Sequence, residues 1–346
     1  LGHQPFGLAS PAAWLRDAGL DVTCLDLAVQ PLDQRVILDA GLVAFYVPMH
    51  TATRLAARVI GQVRDLNPEA HLCVYGLYGP MNERFLRNLG VDTILGGEFE
   101  EPLLALAERL RAQQMPASNG RQELPLISLS RQRFRVPDRT GLPALKSYAC
   151  VQLPDGGHQT AGYTEATRGC KHLCRHCPIV PVYGGHFRVV QREIVLEDVA
   201  RQVAAGARHI TFGDPDFFNG PAHAVAVVRA LHDQFPDLTY DVTIKIEHLV
   251  KQARHLPALR DTGCLFVTSA VEAFDERVLE IFDKRHSPQD FAHALQLLRG
   301  LGMAMNPTFV AFTPWTTLDT YVDFLLTIHR LDWWETSPPS STPFAC

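Results

Sequence analysis

No uninterrupted apolar stretch in this sequence approaches the roughly 20 residues that cross a bilayer. The opening LGHQPFGLAS also lacks the basic-then-apolar order of a secretory signal. These absences argue against a membrane partner and point to the cytoplasm. Basic runs are missing as well: 32 Lys and Arg stand against 37 Asp and Glu, for a net charge of -5 at pH 7. Without a basic face to displace counterions from phosphate, nucleic acid is excluded as a partner, and a small-molecule substrate is expected. A disulfide framework is lacking too, because five of the 8 cysteines (Cys24, Cys73, Cys150, Cys264 and Cys346) are scattered singly. They read as small apolar core residues or surface thiols. The chain opens on Leu1 and a helical SPAAWLRDAG, although an α/β domain ordinarily begins with a strand, so a strand is expected upstream.

What is present alternates. Short β-branched runs at 21–28 (DVTCLDLA), 42–48, 71–78 and 91–97 have the character of buried parallel strands. Between them lie helical stripes, Leu55, Val59, Ile60 and Val63 in one and Leu103, Leu104, Leu106 and Leu110 in another. Residues 1–114 therefore read as a doubly wound, Rossmann-like α/β domain. Residues 115–160 carry prolines, glycines and basic residues with little periodicity, as a connector wrapped over one or both domains. Alternation resumes over 161–335, with strands expected at 163–168, 209–214, 240–247, 264–272 and 305–312 and a sixth starting in DWWETS. The helices between them carry stripes such as Val195, Leu196, Val199 and Val203. This is a partial (β/α)6 barrel of the TIM type, with its chemistry expected where the strands end. The final 336–346, rich in Pro and Ser, is expected to be a disordered or foreign tail.

Three cysteines are not scattered. TEATRGCKHLCRHCPIV, at 164–180, sets Cys170, Cys174 and Cys177 just past the first barrel strand. The spacing C-x3-C-x2-C lets one short loop aim three thiolates at one centre. Zinc takes three sulfurs plus a nitrogen, here His172 or His176. A [4Fe-4S] cube takes one thiolate on each of three irons and leaves the fourth without a protein ligand. Zinc sites usually draw on a distant second knuckle, which this sequence does not show, so the cube is favoured.

TRGCKHLCRHC resembles the signature loop of the radical SAM superfamily, whose cluster chelates S-adenosylmethionine and cleaves a carbon–sulfur bond by donating one electron. That resemblance implies Cys170, Cys174 and Cys177 as metal ligands and catalytic centre, and a one-electron donor such as flavodoxin or ferredoxin. His176 stands where the family usually has an aromatic ring. FGDPDFFNGP ends the second strand at the place of the family's glycine-rich motif, so Gly213 with Asp214 or Asp216 is expected at the cofactor's amino group. TIKIEH ends the third strand with Lys245 and Glu247 two apart, on one face of a strand. Facing inward they bind a carboxylate and a ribose; facing outward they form a salt bridge. Ser269 and Glu272 are expected to border the sugar. Phe312 and Trp315 are candidates for stacking on adenine. Arg168 either balances the anionic cluster or caps the loop.

The first domain is similar to the cobalamin-binding (B12-binding) domain that precedes many such barrels. It departs from D-x-H-x-x-G, because CLDLA is followed by VQPLDQ with no histidine to ligate cobalt. Either cobalamin binds without a protein ligand or the domain is a scaffold that has lost it; the second is the expectation. LGHQPFGLASPAAWLRDAGLDVTCLDLA, FGDPDFFNGP and FVAFTPWTT resemble a bacterial subgroup with cysteine-rich tails that includes the arsinothricin-forming enzyme. This implies transfer of the 3-amino-3-carboxypropyl arm of S-adenosylmethionine to arsenite, with tail cysteines presenting the metalloid. Only Cys346 is found there. The alternatives are a cobalamin-dependent radical SAM methyltransferase and a non-catalytic iron-sulfur or zinc protein.

Overall fold

A computed structural model describes residues 2–113, 124–153 and 156–331. The DWWETS strand and the tail lie outside the described residues. The chain divides into two compact units, one comprising 5–143 with 178–184, the other the remainder.

In the first unit, β1 (Leu42–Tyr46), β2 (His71–Tyr75), β3 (Thr93–Gly97) and β4 (Ile127–Ser128) form one parallel sheet in that order. Strand β2 shows why it is wound on both faces. Leu72 and Val74 join a core with Ile60 and Val63 of the helix His50–Leu66. Cys73 and Tyr75, pointing the opposite way, join Leu103 and Leu106 of the helix Glu100–Gln113. The expected strand at 21–28 does not form; that segment is irregular and turn-like. A β-branched run becomes a strand only when a neighbour takes its backbone hydrogen bonds, and β1 pairs only with β2 among the described strands. The connector is not structureless either, since β4 extends the first sheet.

The second unit is a six-stranded sheet: β5 (Cys150–Gln152), β6 (His158–Thr164), β9 (His209–Phe212), β10 (Thr239–Thr243), β11 (Cys264–Glu272) and β12 (Ala304–Phe309), in spatial order β12-β11-β10-β9-β6-β5. All pairings are parallel except β5 with β6. β7 (Thr167–Gly169) and β8 (Phe187–Val189) form a separate antiparallel ribbon. Five parallel strands match the five expected, but β6 starts at His158 and leaves the sheet after Thr164 instead of running over 163–168. Likewise β10 ends at Thr243, before Lys245. Helices follow the strands, including Arg192–Ala204, Pro221–Gln234, Ile246–Lys251 and Pro288–Gly300. Val195, Val199, Phe291, Leu295 and Leu298 are buried as their stripes require. No described helix is long and apolar enough to cross a membrane.

Candidate active site

The cysteine loop is held from both ends. Its first residue follows Gly169, whose φ of 73° is left-handed backbone that favours glycine. The ribbon of β7 and β8, with Arg168 opposite Arg188, closes the segment between them. Inside the loop Cys177 N donates to Cys174 O at 3.1 Å, and Arg175 N donates to Phe282 O at 2.9 Å. Asn219 fastens the start: its Nδ2 donates to Gly169 O at 3.2 Å and its Oδ1 accepts from Lys171 N at 3.2 Å. Cys174 is buried, Cys170 and Cys177 half-buried, and all three are thiols, not disulfides. Burial pushes the Cys170 thiol up to about 11, so a thiolate there needs positive charge beside it.

These residues fit a cube better than one zinc ion. Tetrahedral Zn–S bonds bring sulfurs to about 3.8 Å of one another. Among the described residues the set whose ligand atoms converge within 4.8 Å is Cys170, His172 and Asp216, not the three thiols. A cube instead spreads its thiolates over three irons.

The residues expected at the cofactor are distributed unevenly. At Gly213 the side-chain direction is taken by Tyr163: a Cβ there would collide with that ring. Asp214, 2% exposed, accepts from Ala166 N at 2.9 Å and from Thr167 Oγ1 at 2.6 Å, so it fixes the turn by which the chain leaves β6 for β7. Burial raises its carboxyl to about 7. Ser269 shares its strand face with buried Val267 and Val271, and its hydroxyl donates to Ile244 O at 2.6 Å. Lys245 and Glu247 do not share a strand face, because Lys245 caps the helix Ile246–Lys251 and Glu247 lies within it. They still meet as a salt bridge of 3.1 Å. Burial opposes ionisation of Glu247, but Lys251 and Lys245 draw it down to about 2.

Glu272 and His176 come together. Glu272, at φ 71° where the β11–β12 register shifts, accepts from His176 Nε2 at 3.0 Å and from Lys284 Nζ at 3.1 Å. Burial alone would raise the Glu272 carboxyl, but His176 and Lys284 hold it below its ordinary range. The His176 ring stacks on Phe282 with ring centroids 4.3 Å apart, and Trp315 meets Phe282 edge-on with centroids 6.3 Å apart. Phe312 is 71% exposed and stacks on Tyr321. A cavity of about 250 Å³ opens beyond β11 and β12, lined by Ala273, Phe274, Val310, Thr313 and Tyr321 among others. Arg168 is buried and paired with Glu165 at 2.7 Å.

Sequence reasoning missed Lys284, Asn219 and His248. Lys284 follows a run of apolar and acidic residues that reads as ordinary helix, and Asn219 sits in FFNG as a turn residue would. His248 had a signal, as part of TIKIEH, but spacing says nothing of which residue Asp216 meets. His248 Nδ1 lies 2.6 Å and His172 Nε2 3.3 Å from Asp216 Oδ2.

The pattern describing the Radical SAM superfamily matches residues 164–323, which begin at the end of β6 and contain the cysteine loop. The chain carries a radical SAM domain. Such a domain implies a [4Fe-4S] cluster and S-adenosylmethionine. The chain is 24% identical over 326 residues to the hopanoid C-3 methylase of Methylococcus capsulatus, covering 90% of this chain and 62% of that protein. The fold is that of TsrM, a radical S-adenosylmethionine methyltransferase from Kitasatospora setae solved with tryptophan and a cofactor analogue (TM-score 0.72, 19% identity, 95% of this chain and 69% of that one). It is equally that of OxsB, a cobalamin-dependent S-adenosylmethionine radical enzyme (TM-score 0.70, 15% identity, 93% and 49%). The chain thus spans about three fifths of the curated methylase it matches.

Proposed function

We propose that this chain is a radical SAM enzyme that holds a [4Fe-4S] cluster on Cys170, Cys174 and Cys177 and modifies a small molecule. The observation that carries the reading is one loop, pinned by Asn219 and Phe282 at the carboxyl edge of a parallel half-barrel, bearing three thiols that do not converge on a single ion. When bound, the cluster supplies the electron that breaks a carbon–sulfur bond of the sulfonium, drawn from a donor such as flavodoxin or ferredoxin. The chain's residues orient. Asp214 and Asn219 set the loop, Glu272 and Lys284 fix His176 against it, and the cavity lined by Phe274, Tyr321, Thr313 and Thr316 offers the nucleoside an aromatic and threonine-lined wall. Gly213 and Ser269 support this frame from the packed side, while Lys245 and Glu247 offer a charged pair beside His172.

Cobalamin-dependent methyl transfer is the reaction class best supported for the whole molecule, by the methylase and methyltransferase relatives. The first unit offers cobalamin a wound sheet and backbone at Gly76 (φ 107°) and Gly97 (φ 72°). Glu98 and Glu100 beside that edge are engaged with Tyr183, Gln132 and Ser10, and the loop after Cys24 supplies no histidine. Aminocarboxypropyl transfer to arsenite, as in arsinothricin formation, rests on the three resembling segments alone. Anaerobic incubation of reconstituted, reduced protein with S-adenosylmethionine separates them. Release of 5′-deoxyadenosine and copurified corrinoid supports methyl transfer; methylthioadenosine supports the arsenite reaction; an intact sulfonium sinks both.

A further inference from the structure

Behind Cys170 three side chains from three elements meet. His172 comes from the cysteine loop, Asp216 from the turn that begins at Phe217, and His248 from the helix Ile246–Lys251. Asp216 is 1% and His248 4% exposed, and the His172 side chain 10%. Cys170, His172 and Asp216 offer ligand atoms within 4.8 Å of one another. His172 Nε2, His248 Nδ1 and Asp216 Oδ2 are all buried, yet none makes a hydrogen bond of ordinary geometry. The two imidazoles pair with the carboxylate by proximity, off the directions of a well-formed hydrogen bond. Polar atoms buried in that way are costly unless something positive stands among them.

We propose that Cys170 Sγ, His172 Nε2 and an Asp216 carboxylate oxygen form a mononuclear site for one divalent transition ion, Fe2+ or Zn2+, in the cluster-free chain. The site shares Cys170 with the cluster of the proposed function and is exclusive with it. One thiolate and one carboxylate neutralise a divalent charge, and a mixed sulfur, nitrogen and oxygen set suits ions of this borderline class. The 3.3 Å between His172 Nε2 and Asp216 Oδ2 equals the roughly 3.3 Å that two tetrahedral metal bonds subtend. His248 Nδ1, at 2.6 Å from Asp216 Oδ2, is too close to be a co-ligand and orients the carboxylate instead. His172 Nδ1 lies 3.4 Å from Lys245 Nζ and 3.7 Å from Glu247 Oε2. With the ion on Nε2, that nitrogen carries the proton and turns to Glu247, the carboxylate–histidine–metal arrangement that fixes a ring in its ligating tautomer. The fourth position is left to solvent. An ion held here denies Cys170 to the cluster, so Zn2+ blocks reconstitution of the apo chain.

Co2+ titration of the reduced, cluster-free full chain tests this, using a Cys174→Ala/Cys177→Ala variant in which no cube ligand but Cys170 remains. One Co2+ per chain with a thiolate charge-transfer band is expected, weakened at least tenfold by His172→Ala or Asp216→Asn. A signal that vanishes in the double-cysteine variant but survives in those two places the ion on the three thiols and overturns the inference. Zn2+ protection needs no change at the other ligands: in the double-cysteine variant Zn2+ slows alkylation of Cys170 at least tenfold, and an unchanged rate overturns the site. Both readouts use protein without a cluster, so they fail independently of cofactor cleavage.

Discussion

Asp214 is the residue through which barrel and cysteine loop are coupled, and its replacement can be worked through. Its carboxyl is buried, accepts from Ala166 N and Thr167 Oγ1, and titrates at about 7 against 3.8 when solvated. The folded state therefore binds the extra proton between those values, and stability falls as pH rises through that window, levelling off above it. Asp214→Asn is neutral at every pH and keeps both contacts, accepting from Ala166 N and donating to the Thr167 hydroxyl. From pH 5 to pH 8, wild-type stability relative to Asp214→Asn should fall by roughly 3 kcal/mol, the part of the shift lying in that interval. Asp214→Ala leaves the Ala166 N–H without an acceptor and should cost about 1–3 kcal/mol at pH 5, with loss of iron on reconstitution as the loop loosens. Urea unfolding followed by circular dichroism, on reduced protein at four pH values, measures the difference. A gap between wild type and Asp214→Asn that does not change with pH would refute the reasoning.

Three further outcomes are expected. Alanine at Cys170, Cys174 or Cys177 removes the cube's iron and all cleavage of S-adenosylmethionine, read by iron analysis and nucleoside chromatography, while the melting temperature of the apo chain stays near wild type. Lys284→Met leaves buried Glu272 with His176 alone and should cost about 3 kcal/mol in urea unfolding. Gly213→Ala drives a methyl into the Tyr163 ring and should cost about 1–3 kcal/mol, part of which Tyr163→Leu restores.

Much of the architecture was legible because it is periodic. Strand β2 is apolar at every position from Leu72 to Tyr75, which only burial on both faces explains, and Phe291, Leu295 and Leu298 repeat at helical spacing. The cysteine loop was legible because its three thiols fall within one short stretch. What failed depended on neighbours. The 21–28 run has strand composition but no ladder, and TIKIEH reads as one strand although the chain turns into a helix at Ile246. That Gly213 must also make room for Tyr163, fifty residues earlier and one strand over, is set by packing and not by spacing. Asp216 was in view as an acceptor for an ammonium; that two histidines from separate elements close on it is a property of packing alone.

The proposed chemistry requires a cluster whose fourth iron is open to S-adenosylmethionine. Iron and acid-labile sulfide analysis of anaerobically reconstituted protein, followed by electron paramagnetic resonance of the reduced sample with and without S-adenosylmethionine, tests that directly. About four irons per chain and a cluster signal that shifts when the sulfonium is added are predicted. One zinc with no iron, or a signal indifferent to S-adenosylmethionine, would contradict it.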